Sequence, residues 1–160
     1  MSTFNTALKS RLIYVFAISD EWHKDCLKIG ETTLEEDNGG FPEPNSEILN
    51  RAARKRIDKY TQTAGIAYQL LYTDTTLYIS NGTFHSFNDK QIHRILERSG
   101  IKKKVFDQVK GADEWYQCDL ATVKAAIKAA KLGQWSLNSS QINHNQKQTP
   151  IIFRPEQQEA

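Results

Sequence analysis

The side chains equipped to work on an anionic group are Tyr14, Lys28, Arg56, Tyr60, Asp89 and His93. Arg56 and Tyr60 are four residues apart, as are Asp89 and His93, with Glu97 four further on. On a helix that spacing puts each set on one face. A guanidinium stays charged and presents a planar fork to two phosphate oxygens. One carboxylate, completed by waters and phosphate oxygens, is an ordinary magnesium site. A phenol, with its usual pKa near 10, is a poor base at neutral pH and needs a cation beside it. A lysine amine can provide that charge or hold a phosphate itself.

The elements that must position these groups are legible from pattern. Strands are expected at about 11–19 and 26–32, where IYVFAIS and CLKIG are rich in β-branched and aromatic residues around the polar link DEWHKD. Gly30 ends the second strand, where a missing Cβ allows close approach. ETTLEEDNGGFPEPN reads as a loop. Ser46 is expected to cap a helix running to about Gln62, with Ile48, Leu49, Ala52, Ala53, Ile57 and Tyr60 along its apolar stripe. A third strand at about 67–74 precedes a hairpin signalled by Asn81-Gly82. A second helix is expected at 88–99, closed by Gly100, and an alanine-rich third helix follows Asp119. IKKKVFDQV reads as a short strand or irregular return, and EWYQCD as a strand or extended segment, with Trp115 packed inward.

The first two strands resemble the core of the GIY-YIG nuclease family, whose paired strands carry Gly-Ile-Tyr and Tyr-Ile-Gly. The triplets here are Leu12-Ile13-Tyr14 and Lys28-Ile29-Gly30. A Lys-Ile-Gly form is similar to a divergent, phage-associated branch. The resemblance covers roughly residues 11–118 and is strongest at 12–30, 49–60 and 87–96. It implies an α/β fold with a small central antiparallel sheet of about three strands flanked by helices. It also implies a metal-dependent DNA endonuclease. Tyr14 and Arg56 would sit at the scissile phosphate with Tyr60 assisting, Lys28 would replace the second tyrosine, and Asp89 would hold Mg²⁺ or Mn²⁺ with His93 one turn on. The branch places its acid four residues before a histidine, which Asp89 and His93 reproduce with an aspartate. Lys28 removes any relay between two tyrosines. Arg51 and Arg54 compete with Arg56, because the 34–46 insert shifts the register, and Glu114 and Glu97 compete with Asp89.

Composition fits a soluble globular chain of 160 residues with a net charge of only +2. Charge is distributed unevenly: residues 31–47 carry six acids and no base. Arg51, Arg54, Lys55, Arg56 and Lys59 then stand against Asp58 alone, and Lys102 and Lys103 open a run of three lysines. Such clusters can track DNA phosphates in a near-neutral protein. No apolar run reaches the ~20 residues a membrane span needs, and no signal sequence opens the chain. Cys26 and Cys118 read as reduced core thiols, so a cytoplasmic location is expected. PD-(D/E)xK spacing, HNH spacing with paired cysteines and a Walker A loop are all lacking.

Three units are expected: a nuclease-like domain at 1–133, a polar linker at 134–150, and at 151–160 the opening of a motor domain. Residues 153–160, FRPEQQEA, resemble the phrase that begins the motor core of superfamily 2 helicases and restriction translocases, which would make that motor the partner domain. The alternative to an enzyme is a catalytically inactive DNA-binding module that positions the helicase. A protein-interaction domain with a basic face is a third reading.

Overall fold

Residues 10–35, 42–62, 65–104 and 115–138 are described by the structure, a computed structural model; the Tyr60 side chain is outside the description. In chain order the elements are β1 (Arg11–Ala17), β2 (Leu27–Thr33), α1 (Glu47–Thr61), β3 (Gln69–Thr75), β4 (Leu77–Ser80), β5 (Thr83–Ser86), α2 (Asp89–Arg98), β6 (Lys103–Lys104), β7 (Trp115–Tyr116) and α3 (Leu120–Lys131).

β1 is apolar along its length because both of its faces are covered. Ile13 and Val15 point to one side, Leu12, Tyr14 and Phe16 to the other, and all are buried. It pairs antiparallel with β2, Tyr14 opposite Gly30 and Phe16 opposite Lys28, and antiparallel with β3 on its other edge. The pairing with β3 shifts register between Val15 and Phe16. The fold is α/β with an antiparallel sheet of five strands in the order β3-β1-β2-β7-β6, two more than the expected three. The added strands lie in the two stretches read as possible short strands, IKKKVFDQV and EWYQCD, and at two residues each they are too short for a period-2 pattern to assign them to the sheet. β4 and β5 form a separate hairpin whose turn, Asn81-Gly82, has φ of 55° and 76°, the left-handed pair that a tight hairpin turn requires.

α1 covers the Leu12/Tyr14/Phe16 face through Leu49, Ala53 and Ile57. α2 and α3 cover the opposite face through Ile92, Ile95, Leu96, Val123, Ala126 and Ile127. Asn88 caps α2 in a reciprocal box with Gln91, and Asp119 caps α3 by accepting from the Thr122 backbone N–H at 3.0 Å. Ser46 holds the N-cap position of α1 without capping it: its hydroxyl is buried with no hydrogen bond. Asn45 and Asn50 instead tie that end to β3, where Asn45 Oδ1 accepts from the Thr73 N–H at 3.1 Å and Asn50 Oδ1 from the Thr73 hydroxyl at 2.7 Å.

The chain remains packed beyond Gly133. Leu137 joins the α2/α3 core and its N–H donates to Ser99 Oγ at 2.8 Å, so the stretch read as linker begins inside the domain. The remainder of that stretch and the motor-like octapeptide lie outside the described residues. Cys26 and Cys118 are both free and buried. Among the described residues no helix is long and apolar enough to cross a membrane.

Candidate active site

β2 positions most of the candidate residues, because its alternation sends Lys28 and Gly30 to the α1 face and Ile29 and Glu31 to the α2 face. On the α1 face the Tyr14 ring leans across β2 above Gly30. A Cβ at that glycine would stand 2.5 Å from both the ring Cζ and the phenol oxygen. Tyr14 is only 3% exposed. Lys28, two residues away on the same side of β2, is 8% exposed and sits between Phe16 and Trp115 in the cross-strand row. Trp115 packs edge-on against Phe16 at 5.5 Å, as expected of a core residue.

The turn of α1 separates the competing arginines. Asn50 reaches Thr73, and Asp58 accepts from the Tyr68 hydroxyl at 2.9 Å, so their side of α1 faces β3. Arg54 lies on that side; it and Asp58 both act on Tyr68, whose phenol is pushed upward mainly by burial. At about 100° per residue, Arg56 falls on the opposite flank of the buried Ala53, about 60° away and toward β2. Arg56 is exposed at its end, and Lys59 lies on the same flank. Arg51 bonds back to Glu47 at 3.6 Å and Lys55 reaches Glu35 at 3.3 Å, both at the surface. Tyr60 ends up in the last turn of α1, its side chain outside the described residues.

α2 meets β2 from the other side. β7 pairs with β2 only at Leu27 and Lys28, and α2 fills in beyond. His93 Nε2 lies 3.1 Å from the Ile29 carbonyl oxygen. A carbonyl only accepts, so Nε2 donates in this contact. The His93 ring stacks on Tyr116 at 5.2 Å. The Asp89 backbone N–H donates to Glu31 Oε1 at 2.9 Å, and the second Glu31 oxygen accepts from Arg11 Nε. Glu97 accepts a 2.6 Å bond from the Tyr116 hydroxyl, which with Lys103 nearby holds its carboxyl below the usual range despite partial burial. The Asp89/His93/Glu97 stripe therefore faces the β2–β7 edge.

Tyr14 and Lys28 thus share the side of β2 that α1 covers, while His93 and the Asp89 backbone are anchored from the opposite side, to Ile29 and Glu31 of the same strand. Lys102 is exposed beyond α2, and Lys103 is engaged with Glu97 at 3.4 Å. Glu114 lies outside the described residues. Among the described residues no group of three His, Cys, Asp or Glu could hold a metal ion. An ion bound by the Asp89 carboxylate alone, with waters and phosphate oxygens, is compatible with that donor set.

Sequence reasoning gave no role to Glu31 or to Asp20. Glu31 fixes the start of α2, and its signal was an acid directly after Gly30 at a strand position whose alternation points inward. Asp20 Oδ1 accepts from both the backbone N–H of His23 and its ring Nδ1, at 2.8 and 2.7 Å, which lowers the Asp20 pKa and closes the β1–β2 turn. The His23 ring then packs on Trp115 at 4.6 Å. Comparison of the chain with family models, curated proteins and solved structures gives no match, so the residues above are what define the site.

Proposed function

We propose that the domain is a metal-dependent DNA endonuclease of GIY-YIG type that hydrolyses phosphodiester bonds at the β2 site. One observation supports the reading: the Tyr14 phenol crosses β2 over Gly30, beside Lys28 and beneath α1, the helix that carries Arg56. Arg56 grips two non-bridging oxygens of the scissile phosphate, where its fixed fork neutralises the charge that grows in the transition state. Lys28 lends positive charge beside Tyr14 and favours its ionised form. Tyr14 orients the attacking water and accepts its proton. Asp89, held at the α2 side of the same strand, would hold Mg²⁺ or Mn²⁺, which would supply positive charge for the leaving oxygen. His93 is held by Ile29 and keeps α2, and so Asp89, against the strand. Arg51, Arg54, Lys55, Lys59 and Lys102 track flanking phosphates. The partner is DNA, with a helicase or translocase motor in the same polypeptide, and the free buried thiols suit a reducing, cytoplasmic setting.

The 3% exposure of Tyr14 favours a second reading, a DNA-binding module without cleavage that positions the motor. Plasmid nicking with Mg²⁺ or Mn²⁺ decides between them. The nuclease reading expects nicking that needs the metal and is lost in Tyr14→Phe and Arg56→Ala. Salt-sensitive DNA binding with no nicking under either metal selects the binding module.

A further inference from the structure

Trp135 is 70% exposed, yet its backbone is pinned on both sides. The Gln134 N–H donates to the Ala129 carbonyl at 2.8 Å, and the Leu137 N–H to Ser99 Oγ at 2.8 Å. The segment therefore bridges the C-terminal ends of α3 and α2. The Arg98 guanidinium lies 4.9 Å from the centre of the Trp135 ring and covers one of its faces. The other face accounts for the exposure. A ring fixed by two backbone anchors and backed by a cation is a preformed flat surface on which another ring can stack.

The surrounding charge identifies that occupant. α3 carries Lys124, Lys128 and Lys131 and no Asp or Glu. Lys131 is taken by Asp74 at 2.9 Å, and Lys124 lies over the Tyr72 ring, which leaves Lys128 on the outer surface. Arg94 and Arg98 are exposed on α2, with Lys102 exposed just after it. Of the two acids of α2, Asp89 is at its other end, and the carboxylate of Glu97 is taken by Tyr116 and Lys103. Trp22, 73% exposed, is a natural contrast, because Asp20, Glu21 and Asp25 outnumber Lys24 around it.

We propose that Trp135, backed by Arg98 and with the exposed Arg94, Lys102 and Lys128 on the elements that flank it, is a stacking platform for an unpaired base of single-stranded DNA. A flat ring accepts the face of any base, and the cations take the adjoining phosphates; a fully paired duplex offers no free base face to it. The platform lies on the helical side of the sheet away from α1, and it goes beyond the nuclease reading by naming the form of the strand that is held. It rests on that reading only in taking DNA as the partner.

The test uses the Trp22→Phe chain, so that fluorescence reports Trp135 and the buried Trp115. It is titrated with a deoxythymidine oligomer of about twelve nucleotides and with a duplex of the same length. Quenching by the single strand, affinity that falls with salt, and a loss of about tenfold or more in Trp135→Ala and Arg98→Ala are expected. Trp135→Phe should retain most of the binding, and unchanged thermal transitions confirm that the variants are folded. Equal affinity for the duplex, or undiminished binding by Trp135→Ala, overturns the platform. Cleavage is scored separately: strand binding through Trp135 by a chain that never nicks DNA removes the nuclease and leaves the platform standing.

Discussion

The Tyr14 ring occupies the space that a side chain on Gly30 would need. The two residues are cross-strand partners, and an added Cβ would stand 2.5 Å from the ring Cζ and phenol oxygen and 2.7 Å from Cε1. Tyr14 is enclosed, with Phe16 at a ring distance of 6.0 Å, so it has little room to yield. Gly30→Ala should destabilise the fold by about 1–3 kcal/mol, the usual range for overpacking. In a Tyr14→Ala background the same change should cost clearly less, because the colliding atoms are gone. Urea denaturation of the four chains of this cycle measures the coupling, and additive effects would mean that the ring does not lie over Gly30.

The two flanks of α1 give the arginines different work. Arg54 lies toward Tyr68 and Asp58 beside β3, whereas Arg56 falls on the other flank of the helix. Arg56→Ala should lower the nicking rate by about 10²–10³-fold, the scale for losing one charge-stabilising donor at a transition state. Arg54→Ala should stay near the wild-type rate and lose only salt-sensitive affinity. Arg56→Lys keeps the charge without the fork and should recover only part of the loss. A reversed ranking of Arg54 and Arg56 would move the site to the β3 side.

Glu31 ties the start of α2 to β2. Its carboxylate, 10% exposed, accepts from the Asp89 N–H and from Arg11. Glu31→Gln keeps the shape and removes the charge that strengthens both bonds, so a loss of about 1–3 kcal/mol is expected. If Asp89 binds the metal, slackening this anchor should also raise the Mg²⁺ concentration needed for half-maximal nicking while saturating metal restores the rate. A lower rate at saturating metal with the same metal requirement would place Glu31 in the chemistry itself.

What could be read in advance follows the length of the signal. α1, α2 and α3 announced themselves through apolar spacing over three turns or so, and Asn88, Gly100 and Asp119 marked their ends. β6 and β7 could be read only as one option each, IKKKVFDQV as a short strand or irregular return and EWYQCD as a strand or extended segment, because two residues hold no period; what makes them strands is the pairing of β7 to β2 and of β6 to β7. Tyr14, Lys28 and Gly30 stood out as a cluster because a hairpin brings near neighbours together. The inward turn of Glu31 and the split between Arg54 and Arg56 depend on which partners sit across the sheet. Sequence spacing fixes the face of a helix but not the element that it meets. Ser46 shows the same limit: a favoured capping residue stands at the N-cap, yet its hydroxyl is walled in while two asparagines anchor the helix to Thr73.

Tyr72 gives the fold an alkaline limit of its own. Its hydroxyl donates to Asp74 Oδ2 at 3.4 Å, and burial first, then the Asp74 charge, push its pKa from 10.0 up to about 12. The fold therefore favours the neutral phenol. The sign follows: this contribution is fully present below about pH 10, and is lost as pH rises through about 12 in the folded chain. Tyr72 is only half-buried, so solvent screening limits the contribution to about 1 kcal/mol. Lys131 also pairs with that Asp74 oxygen, at 2.9 Å, so the carboxylate serves two partners and stability alone cannot isolate the phenol. Absorbance of the phenolate can. The difference titration of wild type against Tyr72→Phe should show one tyrosine ionising near pH 12. Asp74→Asn should bring that step downward, but not to an ordinary tyrosine value, because burial is the larger cause and remains. A Tyr72 step that stays in place in Asp74→Asn would remove the carboxylate from the account and leave burial alone.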